Sequence, residues 1–266
     1  KGVITTNTIH NFPKEDYIYR YGTLSGKLME KTHKKTIAKI SYPIAYSKTI
    51  RDKFLKTYGI TTNFIQNGVN TKEYYLDSAM KLDLKKDLNL PLDKNVFIVS
   101  GALTDLKNPR IIIDTFNSLN NNDTFLIFIG KGYLLEQLIK ENKNENIVFK
   151  GNVENVPAYL KASDYYISAS LTEGLPNSVL EAMSSGLPCL LSKIPSHLEI
   201  VGKSYPYLFE PNDSDQLMAK VKSILKNDTK DLCDELNGKI HEIFNTDEMS
   251  SRYQRVYLDL IKQELR

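Results

Sequence analysis

Two carboxylates, Glu173 and Glu181, stand in one short stretch with Gly174, Leu175, Pro176, Asn177, Ser178, Val179 and Leu180 between them. Such a stretch suits a ligand that carries negative charge and hydroxyls together. Gly174 lets the backbone come close to a ligand or take an unusual dihedral. Asn177 is a favourable N-cap, which predicts a helix from Ser178 with the amides of Ser178, Val179 and Leu180 as unpaired donors at a positive end. A phosphate or pyrophosphate fits such an end. Glu181 then lies one turn into the helix, within reach of hydroxyls beside the anion, and Glu173 lies before it in the loop. One acid on either side of an anion hole suits a nucleotide with ribose at one end and a sugar at the other. Taken alone, the same pattern also describes a strand, loop and helix with two solvated acids.

Further candidates are weaker by themselves. Ser100, Gly101, Ala102 and Leu103, followed by Lys107, Asn108 and Pro109, read as a strand end, a glycine turn and a lysine opening a helix. Lys107 there is either a point charge for a diphosphate or an ordinary surface lysine. Gly130, Lys131 and Gly132 read as a turn after a strand. Asp213 and Asp215 flank Ser214 and could hold a divalent cation, but they precede a helical run, so helix capping is the better reading. His10, His33, His197 and His241 are scattered and the two cysteines form no cluster, so no metal site is expected. His10 follows the first predicted strand, a place that suits a functional or a structural histidine.

These residues need strands whose ends converge. Strands are predicted at 3–6, 43–46 and 63–65, with a basic helix over 21–39, a second helix over 48–58 and a turn at Asn67 and Gly68. The polar stretch after Asn70 reads as a linker. From Asn95 on, strands at 96–100, 125–130, 147–150, 165–168, 189–191 and 207–209 alternate with helices at 109–119, 134–140, 156–161, 178–185 and 215–225. Apolar strands joined by crossover helices predict an α/β fold with a doubly wound parallel sheet, whose ligands bind beyond the carboxyl ends of the strands. A last helix is predicted over 247–265.

The bulk properties narrow the class. The chain has 266 residues and a formal net charge of +3, so nucleic acid is not implied. No apolar run is long enough to span a bilayer, and no leader precedes the first strand-like segment, so export is not expected. Two cysteines without a framework suit a reducing cytoplasm. Residues 14–56 carry eleven Lys/Arg against four Asp/Glu. That bias reads as a solvated helix face, or as peripheral contact with an anionic inner membrane face or a phosphate-bearing acceptor.

Together the motifs resemble a nucleotide-sugar glycosyltransferase of the GT-B fold, in the retaining family numbered four (group 1). The resemblance is carried by Ala162, Ser163 and Asp164, by Glu173 to Pro176 and Glu181 to Met183, and by Gly186, Leu187 and Pro188. Asn67, Gly68 and Val69, Gly101 with Lys107 and Asn108, Gly130 to Gly132, and Glu199, Ile200 and Val201 support it. It implies a Rossmann-like donor-binding domain at 74–246, a partial acceptor-side α/β domain at 1–73, and a C-terminal helix at 247–266 crossing back to the latter. It also implies polysaccharide biosynthesis, transfer with retention from a UDP or GDP sugar to a glycan or lipid-linked acceptor, and no metal or other cofactor.

In that scheme Glu181 binds ribose, and Glu173 and His10 contact the donor sugar. Gly101, Gly174, Leu175, Pro176, Asn177, Ser178 and Val179 line the donor site, and Lys107 neutralises the departing diphosphate. Two departures stand out. Ala102 occupies a position where the family carries Arg; losing such a contact costs about 1.5–3 kcal/mol of donor binding unless Arg110 or Lys131 substitutes. The first domain is expected to lack about a hundred residues of a complete one. A non-catalytic nucleotide-sugar binding module and a sugar-nucleotide epimerase on the same fold remain as alternatives.

Overall fold

The computed structural model describes residues 3–75, 80–119 and 121–264. By contact the chain divides into two compact units. The first comprises Lys1–Gly68, Glu173–Leu175 and Ile243–Arg266, and the second Val69–Thr172 and Pro176–Glu242.

The first unit opens with β1 (Thr6–Ile9), later than the predicted 3–6. Val3 is 82% exposed, whereas Ile9 is buried, so the strand forms where its apolar end can be covered. Helix α1 (Pro13–Ile37) starts well before residue 21. Pro13 at its first position and Glu15 and Asp16 in its first turn favour that start. Gly22, at φ 75° and ψ 175°, breaks the helix, and only the segment beyond it carries the basic run. Strand β2 (Tyr42–Ala45) follows, then α2 (Lys48–Tyr58), capped by Ser47, whose Oγ accepts from the Ile50 amide at 3.1 Å. With β3 (Asn63–Phe64) these strands make a parallel sheet in the order β1-β2-β3. Its core is Ile9, Phe12, Ile37, Ala45, Ile50 and Phe54, with Phe12 edge-on to Phe54 at 5.7 Å and stacked on Tyr58 at 5.3 Å.

In the second unit, the predicted linker after Asn70 is helical on both sides of 76–79, which lie outside the described residues. Helix α3 (Thr71–Tyr74) buries Tyr74, and α4 (Lys81–Asp87) buries Lys85. Polarity concealed α4 because its anchor is ionic. The Asp164 carboxylate accepts from Lys81 Nζ at 2.7 Å, Lys85 Nζ at 2.8 Å and the Val96 amide at 2.8 Å.

Then come β4 (Asn95–Ser100), α5 (Pro109–Leu119), β5 (Thr124–Ile129), α6 (Leu135–Glu141), β6 (Ile147–Gly151), α7 (Val156–Ala162) and β7 (Tyr165–Ser168). After them run α8 (Asn177–Ser184), β8 (Cys189–Ser192), α9 (Pro195–Val201), β9 (Leu208–Phe209), α10 (Ser214–Ile224) and α11 (Lys230–Ile243). Helices α9 and α11 go beyond the sequence expectation: α9 is two turns long, and α11 buries only Leu236 and Ile240 among its charges. Asp213 caps α10 by accepting from the Gln216 amide at 2.9 Å, so capping is the role it plays.

All six strands are parallel, in the order β6-β5-β4-β7-β8-β9. Val96, Phe97, Ile98, Leu126, Ile127, Phe128, Ile167, Leu190 and Leu191 are fully buried, as continuous apolar strands covered on both faces should be. Strand order reverses between β4 and β7, and a crevice opens beyond the carboxyl ends at such a switch point.

The last helix, α12 (Thr246–Glu264), belongs to the first unit, and its Tyr253 hydroxyl lies 3.1 Å from Thr8 Oγ1. Residues 265 and 266, also assigned to this helix from sequence, lie outside the described residues.

Candidate functional site

The switch point places two turns side by side. After β4, the turn at Gly101 bonds to the turn after β5: Gly101 N donates to Ile129 O at 3.0 Å and Leu103 N to Lys131 O at 3.1 Å. A Cβ on Gly130 would stand 2.0 Å from Gly101 O, and one on Gly132 2.1 Å from Leu103 O. The Gly130-Lys131-Gly132 motif is therefore a packing requirement that shapes the crevice.

Two adjoining cavities result. A narrow cleft, a cavity of about 10 Å³, is lined by Gly101, Ala102, Lys107, Ser168, Ser170 and Ser178. A wider one of about 500 Å³ shares Ser100, Gly101 and Ala102 and adds Gly130, Lys131, Asn152, Val153 and Val156. Of the residues singled out from sequence, Gly101, Lys107 and Ser178 thus converge on one cleft. Lys107 ends a single 3-10 turn (Asp105–Lys107), and α5 starts only at Pro109. Its Cε passes 4.0 Å from where a Cβ on Gly101 would be.

The anion hole differs from its sequence outline. Pro176, not Asn177, is the N-cap of α8, and no side chain caps it. Proline fixes φ and places its carbonyl to receive the first bonds, so the Val179 and Leu180 amides donate to Pro176 O at 3.1 and 3.3 Å. The Val179 and Leu180 amides, expected as open donors, are therefore engaged, which leaves Asn177 and Ser178 as the helix positions that precede the first bonded amide.

Glu181 sits one turn in, partly buried, and accepts a hydrogen bond from the Tyr74 hydroxyl. Burial pushes its carboxyl above the ordinary value; Tyr74 pulls it back and nearby Glu73 adds to the rise. Tyr74 was hidden in the stretch read as a linker, and its aromatic character, followed by another tyrosine, was the available signal.

Glu173, Gly174 and Leu175 belong to the first unit. There Gly174 O accepts from Ser47 Oγ at 3.1 Å, and the Leu175 amide donates to the Tyr46 hydroxyl at 2.7 Å, so Tyr46 already engages that amide. A Cβ on Gly174 would come within 1.9 Å of the Tyr46 hydroxyl, so close approach requires glycine here. The exposed ring of His10 lies 5.1 Å from that of Tyr46. Tyr46 was not singled out from sequence, because nothing local distinguishes it from a strand-end aromatic.

Of the two side chains that could replace a cation at Ala102, Arg110 is paired with Glu141 at 2.8 Å, whereas Lys131 lines the wide cavity beside Ala102. Cys189 and Cys233 are free thiols, and burial raises both above the ordinary thiol range.

Comparison with known proteins identifies the fold and the family. The chain is 27% identical, over 96% of its length and 69% of the relative's, to an Escherichia coli UDP-Gal:alpha-D-GlcNAc-diphosphoundecaprenol alpha-1,3-galactosyltransferase. It is 22% identical, over 97% of its length and 72% of the relative's, to the Escherichia coli O-antigen biosynthesis glycosyltransferase WclY. Among solved structures, sucrose-phosphate synthase of Thermosynechococcus elongatus superposes with a TM-score of 0.84 at 18% identity, covering 97% of this chain and 68% of that one. Anabaena HepE in complex with UDP-glucose does so with a TM-score of 0.84 at 17% identity, covering 96% and 72%. These likenesses are of fold, which is α/β of the GT-B type. Residues 80–241, more than half of the chain, match the model of the glycosyl transferases group 1. The chain belongs to that family of glycosyltransferases.

Proposed function

We propose that this chain binds a nucleoside-diphosphate sugar and transfers its sugar, with retention of configuration, to a glycan or lipid-linked acceptor. The observation that carries this reading is the convergence of Gly101, Lys107 and Ser178 on one cleft at the switch point, with Glu181 one turn along α8. In this reading the anion lies over Gly101, which lines both the narrow cleft and the wide cavity. The base then occupies the wide cavity, against Val153 and Val156.

In this scheme Lys107 and the first amides of α8 stabilise the charge that grows on the leaving diphosphate. The Glu181 carboxylate accepts from ribose hydroxyls. Glu173 and His10 keep the roles the family likeness suggests, contact with the glycosyl residue. No metal or other cofactor is needed, because positive side chains and a helix end supply the charge, and Lys131 serves where Ala102 offers none. The relative that acts on a diphosphoundecaprenol acceptor supports a lipid-linked acceptor and a UDP sugar. A cytoplasmic place at the inner membrane face suits such an acceptor.

Calorimetric titration with UDP, GDP and ADP tests the donor half. One of them should bind, and Lys107→Ala and Glu181→Ala should each weaken it; unchanged binding in both variants would sink the assignment. The anomeric configuration of the first product, followed by NMR, decides retention. Ala102 favours a second reading, a module that binds nucleotide sugar without turnover. Binding without donor hydrolysis or transfer would select it.

A further inference from the structure

One peptide group of the first unit is held at both ends by two neighbouring residues. The Gly174 carbonyl and the Leu175 amide belong to the same peptide bond. The carbonyl accepts from Ser47 Oγ at 3.1 Å, and the amide donates to the Tyr46 hydroxyl at 2.7 Å. Ser47 is fully buried, and its hydroxyl donates to Gly174 O while accepting from the Ile50 amide at 3.1 Å. Leu175 is buried too, so its amide requires a partner from the protein. Tyr46 is itself anchored in the sheet: its amide donates to Ile9 O and its carbonyl accepts from the Asn67 amide, each at 3.2 Å.

The consequence falls on the residue just before this peptide. Glycine has the widest choice of backbone conformations, so Glu173 would otherwise stand beside a loose joint. Rotating the Gly174–Leu175 peptide breaks both bonds at once and strips a buried amide of the Tyr46 hydroxyl. A Cβ on Gly174 would stand 1.9 Å from that hydroxyl, so the glycine that loosens the chain is also what admits the tyrosine. Tyr46 meets His10 as well, with ring centroids 5.1 Å apart and planes tilted by 46°. One side chain thus reaches both the segment that carries Glu173 and the histidine.

We propose that Tyr46 is a positioning residue: its hydroxyl, with that of Ser47, locks the Gly174–Leu175 peptide and so holds Glu173 in place for the glycosyl residue of the donor. This rests on the reading above, in which Glu173 contacts that residue. The lock acts on the sugar and not on the nucleotide, whose cavities are lined by residues of the second unit.

The test compares a nucleoside diphosphate with its sugar conjugates by calorimetric titration: UDP with UDP-galactose and UDP-glucose, or GDP with GDP-mannose where GDP is the nucleotide that binds. The readout is the ratio of the two Kd values. Tyr46→Phe keeps the ring beside His10 and removes the hydroxyl. It should raise the Kd of the conjugate about threefold to tenfold and leave that of the free nucleotide unchanged. Ser47→Gly removes the other bond, and because glycine is tolerated at an N-cap, α2 keeps its start. It should show the same selective loss, and it serves if Tyr46→Phe proves unstable. Glu173→Ala should also weaken only the conjugate, and Tyr46→Phe added to it should cost nothing more, because the lock acts through Glu173. Losses that multiply would overturn the lock, as would equal losses for conjugate and free nucleotide. So would a wild-type ratio in Tyr46→Phe and Ser47→Gly while Glu173→Ala is impaired. An unchanged ratio in Glu173→Ala would instead mean that the sugar does not meet Glu173; the reading beneath then fails, and the lock with it.

Discussion

Glu181 is a partly buried carboxylate whose ionisation works against folding. Burial disfavours its charged form, so its folded-state pKa lies above the unfolded 4.5. Between those values the unfolded chain holds fewer protons, and stability falls as pH rises. Glu181→Gln should therefore melt higher than wild type at neutral pH, with the gain fading as pH falls toward 4.5. A gain that persisted in acid would point to packing instead. Tyr74 opposes the shift through its hydrogen bond, so Tyr74→Phe should move the Glu181 titration upward, as followed by carboxyl-carbon NMR. Legibility at this scale was uneven. The acids and Lys107 could be picked out because their types and spacing imply chemistry. Tyr46 and Tyr74 could not, because what distinguishes them is a partner far along the chain.

Elements were easier to read where burial has a period. Strands β4 to β8 and helices α2 and α5 follow from apolar runs and caps, since each must bury a face or a whole strand. Helix α4 escaped because ions hold it. Asp164 illustrates the physics: burial would raise its carboxyl, but Lys81, Lys85 and the Val96 amide outweigh that and hold it below 3.8. Its stabilising effect is complete above 3.8 and is lost as pH falls through the lower folded value. Asp164→Asn leaves Lys85 buried without its anion and should cost about 3 kcal/mol, read from urea midpoints at pH 7. The cost should shrink in strong acid; a constant difference would refute the ionic account.

The exposed face of α1 makes another element-scale prediction. Leu24 and Leu28, 87% and 67% exposed, stand among Lys27, Lys31, Lys34 and Lys35. No helix among the described residues is long and apolar enough to cross a membrane, so membrane contact here would be made from the surface. Vesicles rich in anionic lipid should retain the chain at low salt and release it at high salt. Leu24→Ser with Lys31→Glu should abolish retention; equal binding to neutral vesicles would refute an electrostatic contact.

For the whole molecule, two compact units raise the question of which one a nucleotide stabilises. The cleft and the wide cavity are lined entirely by residues of the second unit. Sequence reading could anticipate that unit because its alternating strands and helices imply a parallel sheet with one reversal, and the reversal locates the crevice. A ligand that binds only folded protein stabilises it by RT ln(1 + [L]/Kd), about 2.7 kcal/mol at a hundredfold excess over Kd. For a unit of this size that amounts to a rise of about 5–10 °C in melting temperature. Hydrogen exchange under native conditions can locate the gain. A saturating nucleoside diphosphate should slow exchange in β4, β7 and α8, which converge on the cleft, and leave α1 and α2 as they were. Protection confined to the first unit would mean that the nucleotide binds elsewhere. The same rise should be smaller in Lys107→Ala and Glu181→Ala at equal nucleotide concentration, because each weakens Kd without touching the sheet.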